Sequence, residues 1–532
     1  MISDDGKERM VHEYGALHPQ GEPSSQSAYE HQNGSSGPWP WLERIFVVRN
    51  GDDNSTASST TAIGRVNPAS EMDSVTVAAT AQNMDACSKG VLHSASAFLG
   101  PALIHAASLT ACEQNQQFLN GECQLSERDA SDLQLWGVLR PSSILTVSSM
   151  ISTIAAALFL PVLGAIIDRT PHRKDVGILT AYGLVGINLL QIFVTTNNWP
   201  IFAVTYTIND FLNVLHHAIV LAYLQNLTPN VQQLTRYSSS FAMVQFVGMI
   251  GYMLFMVVFS RISKADELFA NSVAHMVSGS FGLIVLVYAW MYLFVHTPPR
   301  HGDELDMGSY SLCRNSWMGL FDTIRRISQD YTALKWLLFT LLWSPSLGSG
   351  SYFSIFSTLH KSLMQMTSAQ IGIVNLVTLL STVVGAKLAS YLAQRINPLK
   401  SFQLCLLCLI INTACTAWFV TGPDQLYLYM IFQCVLGMSF GWLMPTERVL
   451  FCTLSPLGQE AELMGLVISV HTAAAWVPPF LFSAMNEAGY SLRLALASQD
   501  VLLIIALVST MGIGSFATAV ARARGDTKEN LS

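Results

Sequence analysis

The sequence predicts an all-α membrane protein in which twelve transmembrane helices form two bundles of six, preceded by a disordered tail. The first observation is composition: 51% of the 532 residues are hydrophobic and only 12% are charged, whereas soluble proteins carry about 25% charged residues. The second is a series of long charge-free stretches such as 141–167 and 176–196, each long enough to cross a bilayer as a helix. The third is a polar segment, 297–332, that separates six such stretches from six others.

Residues 1–87 differ from the rest of the chain. They are rich in Ser, Gly, Asn, Asp and Glu and lack a sustained apolar period, so we predict a disordered cytosolic tail. Within it, residues 39–48 are either an interfacial or partner-binding segment or an isolated apolar stretch. No basic region followed by an apolar one opens the chain, so we expect no cleavable signal peptide.

The remaining apolar runs define the spans and the domains. Residues 88–296 form an N-terminal six-helix bundle, 297–332 a cytosolic linker, 333–521 a C-terminal six-helix bundle, and 522–532 a cytosolic tail. The twelve predicted spans are 88–111, 140–167, 176–196, 200–225, 240–260, 272–296, 333–358, 370–393, 401–421, 425–446, 463–485 and 498–521.

The distribution of basic residues predicts the orientation of these spans. The loops after the even-numbered spans, together with the C-terminus, hold fifteen Lys and Arg, and the opposite loops hold six. Because cytoplasmic loops are enriched in Lys and Arg, both termini are expected in the cytosol.

Charged residues at the cytosolic ends of spans are candidates for a gate between the two bundles. We assign this role to Asp168, Arg169 and Arg173 after span two, and to Glu447, Arg448 and Glu460 around the end of span ten. Such groups can pair across the bundles in one conformation and separate into water in the other. The alternative is that these charges only fix the orientation of the chain.

Two cysteines lie in the long acidic loop 112–139 on the opposite side. Cys112 and Cys123 would face an oxidising or lumenal compartment, and we consider them a candidate disulfide. The remaining cysteines show no zinc-site spacing, and the lone pair Cys405 and Cys408 lies inside an apolar span. We therefore expect no bound metal.

Span four carries most of the polar residues found inside spans: Asp210, Asn213, His216 and His217. A carboxylate within a span is costly unless it faces a cavity or a partner. Imidazole titrates near neutral pH, so a histidine beside Asp210 could carry a proton between compartments. The alternative is hydrogen bonding between helices, which polar residues in spans often provide.

Three further polar residues in other spans extend the candidate solute or proton pathway: Gln245, Lys387 and His471. Lys387 could form a structural pair with a carboxylate such as Asp210. It could instead extend its side chain to the membrane surface.

Several function classes lack their sequence features. No Gly-rich phosphate loop followed by Lys and Ser or Thr is present, so a primary ATP-driven pump is not expected. The loops contain no nucleophile and base arrangement and leave no room for a catalytic domain, so we predict that the protein is not an enzyme and has no cofactor. The net charge of −7 without a basic cluster argues against a nucleic-acid partner.

Two loops carry a family resemblance. Gly164-x-x-x-Asp168-Arg169, followed by Arg173-Lys174, resembles the signature between spans two and three of the major facilitator superfamily. With Thr170-Pro171 it is similar to a narrower group, the autophagy-related vacuolar effluxers. A second stretch supports that group: it runs from Pro445 to Arg448, continues as Pro-Leu-Gly-Gln-Glu-Ala-Glu over 456–462 and ends at Gly465-Leu466. Leu463 and Met464 depart from the group, which has an aromatic pair there.

The resemblance implies a secondary transporter that works by alternating access. It would export amino acids from a vacuole or lysosome to the cytosol after autophagic degradation. Transport of a sugar, nucleoside or drug is one alternative, and a solute-sensing transceptor that signals through its tail is another. The expected partners are the lipid bilayer and a small polar solute, with protons as a candidate coupling ion, and we expect a monomer. The membrane would be vacuolar or lysosomal, with the plasma membrane as the alternative.

Overall fold

The computed structural model describes residues 68–115, 117–119, 122–224, 227, 231–295, 309–345, 351–455 and 460–524. The predicted tail up to residue 67, with its 39–48 segment, lies outside the described residues, as do residues 525–532. Within the described ranges the chain is almost entirely helical because long apolar runs in a membrane must satisfy their backbone hydrogen bonds internally.

The first half contains six long helices and a short hairpin-like connection. Two two-residue antiparallel strands, β1 and β2, pair Phe118 with Cys123. Its elements are α1 (Pro68–Gln114), β1 (Phe118–Leu119), β2 (Glu122–Cys123), α2 (Glu127–Ser131), α3 (Ile144–Arg169), α4 (Arg173–Leu190), α5 (Trp199–Leu224), α6 (Val231–Ser263) and α7 (Glu267–Tyr288).

The second half contains more interrupted helices. A π-helical turn, Leu359–Leu363, continues α10, and a 3₁₀ turn, Thr510–Ile513, continues α17. Its helices are α8 (Ser309–Asp330), α9 (Thr332–Trp343), α10 (Ser351–Thr358), α11 (Ser368–Ile396), α12 (Pro398–Phe419), α13 (Leu426–Leu454), α14 (Glu460–Ala474), α15 (Val477–Glu487), α16 (Leu492–Ala497), α17 (Gln499–Ser509) and α18 (Phe516–Arg524).

Ten helical segments among the described residues are long and apolar enough to cross a membrane. The fourth and seventh predicted spans are the two that do not meet these criteria. Helix α5 is long enough, but its Asn, Asp and His side chains lower its mean hydropathy. The seventh span is divided into the shorter helices α9 and α10.

Several predicted boundaries were wrong because a helix does not end where its apolar run ends. Helix α1 begins at Pro68, twenty residues before the predicted start of span one at 88. Helix α13 continues through Pro445 to Leu454, beyond the predicted end of span ten at 446. The last apolar span, Leu492–Ile513, lies closer to the N-terminus than the predicted 498–521. The predicted linker contains helix α8, whose Ile327 is buried against the second half.

Helix α1 is the most enclosed of the ten candidate spans in the described chain. In its most apolar window 83% of the residues are buried inside the protein, against 22–50% in the other nine. Its many small residues permit this close packing: a Cβ at Gly90 would lie 2.8 Å from the Gln245 backbone oxygen of α6. Polar side chains on α1 therefore face protein or an internal space rather than lipid.

Helices α11 and α13 make the closest backbone contact in the second half. A Cβ at Gly385 would lie 1.9 Å from the backbone oxygen of Met438, and one at Gly441 would lie 1.9 Å from that of Thr382. Both distances are below any possible van der Waals contact. The two helices therefore pack directly backbone to backbone.

Candidate functional site

A cavity of about 160 Å³ lies between the two halves, near the middle of the helices that line it. Helices α1 and α6 contribute from the first half, and α10, α11 and α13 contribute from the second, together with the turn that follows α10. The position matches the usual solute site of transporters built from two bundles. The lining residues are His93, Ser94, Phe246, Met249, Met253, Tyr352, Phe353, Phe356, His360, Asn375, Thr378, Leu379, Thr382, Gln433, Leu436 and Phe440.

A smaller pocket in the first half shares two of these residues, His93 and Phe353, and contains Asp210. The Asp210 carboxylate accepts a hydrogen bond from Ser152 of α3. Asn213, one turn along α5, donates from Nδ2 to Nδ1 of His93 at 3.1 Å. The structure therefore places Asp210 and Asn213, two of the predicted pathway residues, beside the central cavity.

Lys387 does not pair with Asp210, contrary to one prediction. Lys387 is exposed on the outer surface of α11, and within the described part of the chain Asp210 has no ion pair. A lysine has a long flexible stem that can carry its ammonium group toward a membrane surface. The structure is thus consistent with the second interpretation of Lys387.

His216 belongs to a closed network that joins α5 to α1 and α4. Its Nε2 donates to Oδ1 of Asp85 at 2.9 Å, and its Nδ1 lies 2.8 Å from Oγ1 of Thr180. Nε1 of Trp290 donates to the same Asp85 oxygen at 2.8 Å. The His216 and Asp85 side chains are 0% and 1% exposed, so His216 does not line the cavity.

His217, the next residue, is half-buried and faces the other way. It lies within electrostatic range of Lys89 on α1 and Arg448 on α13. Gln245 is half-buried on α6, where its backbone packs against Gly90, and it lines neither pocket. Of the predicted residues on helices α5 and α6, His217 and Asn213 are therefore closer to the space between the halves than His216 and Gln245.

Of the predicted gate residues, Arg173, Glu447 and Arg448 have side chains that the structure describes. Arg173 is buried, donates from Nε to the Ile167 backbone oxygen at 3.0 Å and lies over the Tyr223 ring at 5.5 Å. These contacts are all within the first half. The side chains of Asp168, Arg169 and Glu460 lie outside the described residues.

Glu447 and Arg448 lie inside helix α13 rather than at its end, which corrects their predicted position. Oε1 of Glu447 accepts a hydrogen bond from Nε2 of His471 at 2.6 Å. This contact joins α13 to α14 within the second half. His471 is therefore a partner of Glu447, although it also lines a small space beside Tyr352.

Polar contacts between the two halves cluster at the end of the bundle that carries the loop 112–139, which we call the disulfide end because Cys112 and Cys123 form a disulfide there. Lys361 pairs with Glu267 of α7 at 2.9 Å. We call this ion pair, together with the hydrogen bonds between the halves that follow here, the latch. Its hydrogen bonds join Asn486 to Ser142 at 2.8 Å and to Ser143 at 2.7 Å, Glu487 to the Arg140 backbone nitrogen at 2.9 Å, and Ser483 to Thr146 at 2.5 Å.

The sequence reading missed Lys89, His93 and Asp85. All three lie on α1 in a stretch that also contains Gln82 and Asn83, and this polarity hid the start of the span. The spacing of Lys89 and His93, four residues apart, was the available signal because residues at that spacing share one face of a helix.

Comparison with known proteins agrees with this architecture. The vacuole effluxer Atg22-like family matches residues 86–521. The chain is similar to the human organic anion transporter MFSD10 (TETRAN), with a TM-score of 0.51 and 14% identity over 83% of this chain and 99% of that one. A mutant of the nucleoside transporter NupG gives a TM-score of 0.50 and 12% identity over 80% and 100%. No curated protein matches the chain.

These likenesses confirm the predicted fold class, an all-α membrane protein with the major facilitator fold. The resemblance identified from the loops at 164–174 and 445–466 is also confirmed.

Proposed function

Because the chain belongs to the vacuole effluxer Atg22-like family, and is therefore a membrane transporter and not an enzyme, we propose that it exports amino acids from the vacuole to the cytosol by alternating access. The observation that carries this proposal is the cavity between the halves with Asp210 in the pocket beside it. An aromatic wall next to a carboxylate and a histidine suits a small solute with a charged group and an apolar side chain.

The latch suggests how access alternates in this proposal. With both termini in the cytosol, as the distribution of basic residues predicts, the disulfide end faces the vacuole lumen. The latch then closes the lumenal side in the conformation described here. Opening toward the lumen requires the Lys361–Glu267 pair and the hydrogen bonds of Asn486 to separate.

Asp210 is the proposed proton-coupling residue. It has no ion-pair partner among the described residues, and its polar neighbours in the pocket are hydroxyl and amide groups and His93. A carboxylate in such a site can gain and lose a proton without breaking an ion pair. A gradient of protons from the acidic lumen would then drive export of the solute.

The test is uptake of labelled leucine into proteoliposomes at imposed pH gradients. We expect Asp210→Asn to lose the part of the flux that depends on the gradient while keeping exchange of leucine for leucine. Asp322→Asn, an exposed carboxylate on α8, is the matched control and should behave as the wild type. Gradient-driven flux that persists in Asp210→Asn would contradict the coupling role.

The same preparation distinguishes the alternatives. Unlabelled sugars and nucleosides are tested as competitors of leucine and as solutes in their own right. Uptake of one of these without uptake of leucine would replace the proposed substrate. Tight leucine binding with no counterflow would instead support the sensor hypothesis.

A further inference from the structure

Two basic side chains form the only half-buried positions on an otherwise enclosed stretch of helix α1. Every residue from Ala79 to Ile104 is buried except Lys89 and His93. The two are four residues apart and so lie on the same face of the helix. Since protein surrounds α1, their partial exposure marks an internal space rather than lipid.

Hydrogen bonds to α5 fix where Lys89 lies in that space. Gln82 donates to the Val220 backbone oxygen at 3.2 Å, Asp85 bonds to His216, and His93 bonds to Asn213. In these three contacts the residue numbers rise along α1 as they fall along α5, as expected for two antiparallel helices. Lys89 therefore lies between the levels of Asp85 and His93, one turn from the central cavity and beside His217.

Lys89 has no hydrogen bond or ion pair with any described residue. The nearest carboxylate on its own helix, Asp85, lies one turn away on the same face and within electrostatic range of Lys89, but its hydrogen bonds go to His216 and Trp290. His93 and His217 also lie within electrostatic range of Lys89, and Arg448 lies within range of His217. An ammonium group within a span is costly when unpaired and usually marks a solute or ion pathway.

We propose that Lys89 binds the carboxylate of the transported solute. This inference rests on the proposed function and names the chemical group that the site recognises. Asp210 lies on the other side of His93, so the two opposite charges bracket the cavity. A zwitterion can place its carboxylate toward Lys89, its ammonium group toward Asp210 and its apolar side chain against Phe353 and Phe440.

The test uses four probes of nearly the same shape in competition with labelled leucine for counterflow. Leucine and 4-methylpentanoate carry the carboxylate, whereas leucinamide and isoamylamine do not. The wild type should bind leucine more tightly than leucinamide, and 4-methylpentanoate more tightly than isoamylamine, by a factor of about ten or more. A hydrogen bond to a charged group is worth at least that factor. In Lys89→Met this preference should disappear, and Lys89→Arg should keep most of it.

Lys387→Met is the matched control because it removes a lysine from a span without touching the cavity. Size-exclusion profiles and unfolding midpoints are compared for all variants, so that a misfolded protein is not scored as a loss of recognition. Equal discrimination among the four probes by the wild type and Lys89→Met would overturn the proposal.

A second measurement separates this inference from the substrate assignment. Thermal stabilisation of the full chain by 4-methylpentanoate, compared with equal concentrations of leucinamide, needs no transport. If leucine is not transported but the carboxylate still stabilises the wild type and not Lys89→Met, the amino-acid substrate fails and the carboxylate site stands. If the carboxylate stabilises neither protein or both equally, the site is refuted whatever is transported.

Discussion

Two neighbouring levels on one face of helix α1 use the same kinds of residues for different purposes. At the level of Asp85, the Asp85 and His216 side chains are closed off from solvent and bonded to Trp290 and Thr180. One and two turns further along the helix, Lys89 and His93 are half-buried, and His93 lines the central cavity. The comparison teaches that a polar residue in a span is structural when its hydrogen bonds are satisfied within one half, and is a functional candidate when it faces the space between the halves.

The largest expected effect is at the enclosed level of α1 that carries Asp85. Asp85→Ala leaves the buried donors of His216 and Trp290 without an acceptor, which should lower the free energy of unfolding by about 3 kcal/mol. The unfolding midpoint of the purified protein in detergent measures this loss. Lys89→Met should shift the midpoint far less, and similar shifts in the two variants would remove the distinction between the two levels of the helix.

An intermediate effect, on the equilibrium between conformations, is expected at the latch. Its ion pair joins the two halves instead of stabilising one of them. Glu267→Gln leaves Lys361, which is 1% exposed, without its carboxylate. The equilibrium should shift by about 1–2 kcal/mol toward the conformation open at the disulfide end.

The measurement for this prediction is the reaction rate of an impermeant thiol reagent, applied from the disulfide end, with a cysteine at Asn375 in the cavity wall. The free cysteines are first replaced. We expect a rise of about tenfold over the same cysteine variant with Glu267 intact. An unchanged rate would show that the pair does not hold this end closed.

The smallest effect on stability should come from His217→Ala, in contrast to its neighbour. Because His217 is half-buried and faces the space between the halves, we expect a change in unfolding free energy within about 0.5 kcal/mol together with weaker leucine transport. His216→Ala should instead lower the unfolding midpoint. If the two histidines exchange these behaviours, the assignment of the two sides of α5 is wrong.

The apolar pattern predicted the ten spans that the described residues contain because each span must be long and apolar to cross lipid. It also located Asp210, since a carboxylate in an apolar run is rare in any context. It could not locate Asp85, because Gln82, Asn83 and Asp85 make the start of α1 too polar to be recognised as a span. Gln82 and Asp85 can be buried because α5 supplies hydrogen-bond partners for both.

The apolar pattern also could not show that His216 and His217 have different surroundings, or that Glu447 lies inside its helix. Adjacent residues on a helix point about 100° apart, and only the neighbouring helices decide which direction is core. Glu447 follows Pro445, a residue that often ends a helix, yet α13 continues to Leu454. Neighbouring helices in a membrane can supply what a proline removes from the backbone hydrogen-bond ladder.

The contact between α11 and α13 constrains how the second half can move. Gly385 and Gly441 bring backbone atoms together so tightly that neither helix can slide or rotate past the other without a collision. These two helices also supply seven of the residues that line the cavity: Asn375, Thr378, Leu379, Thr382, Gln433, Leu436 and Phe440. The part of the cavity wall that they form must therefore move as one rigid unit. The solute would then contact the same surface from either compartment.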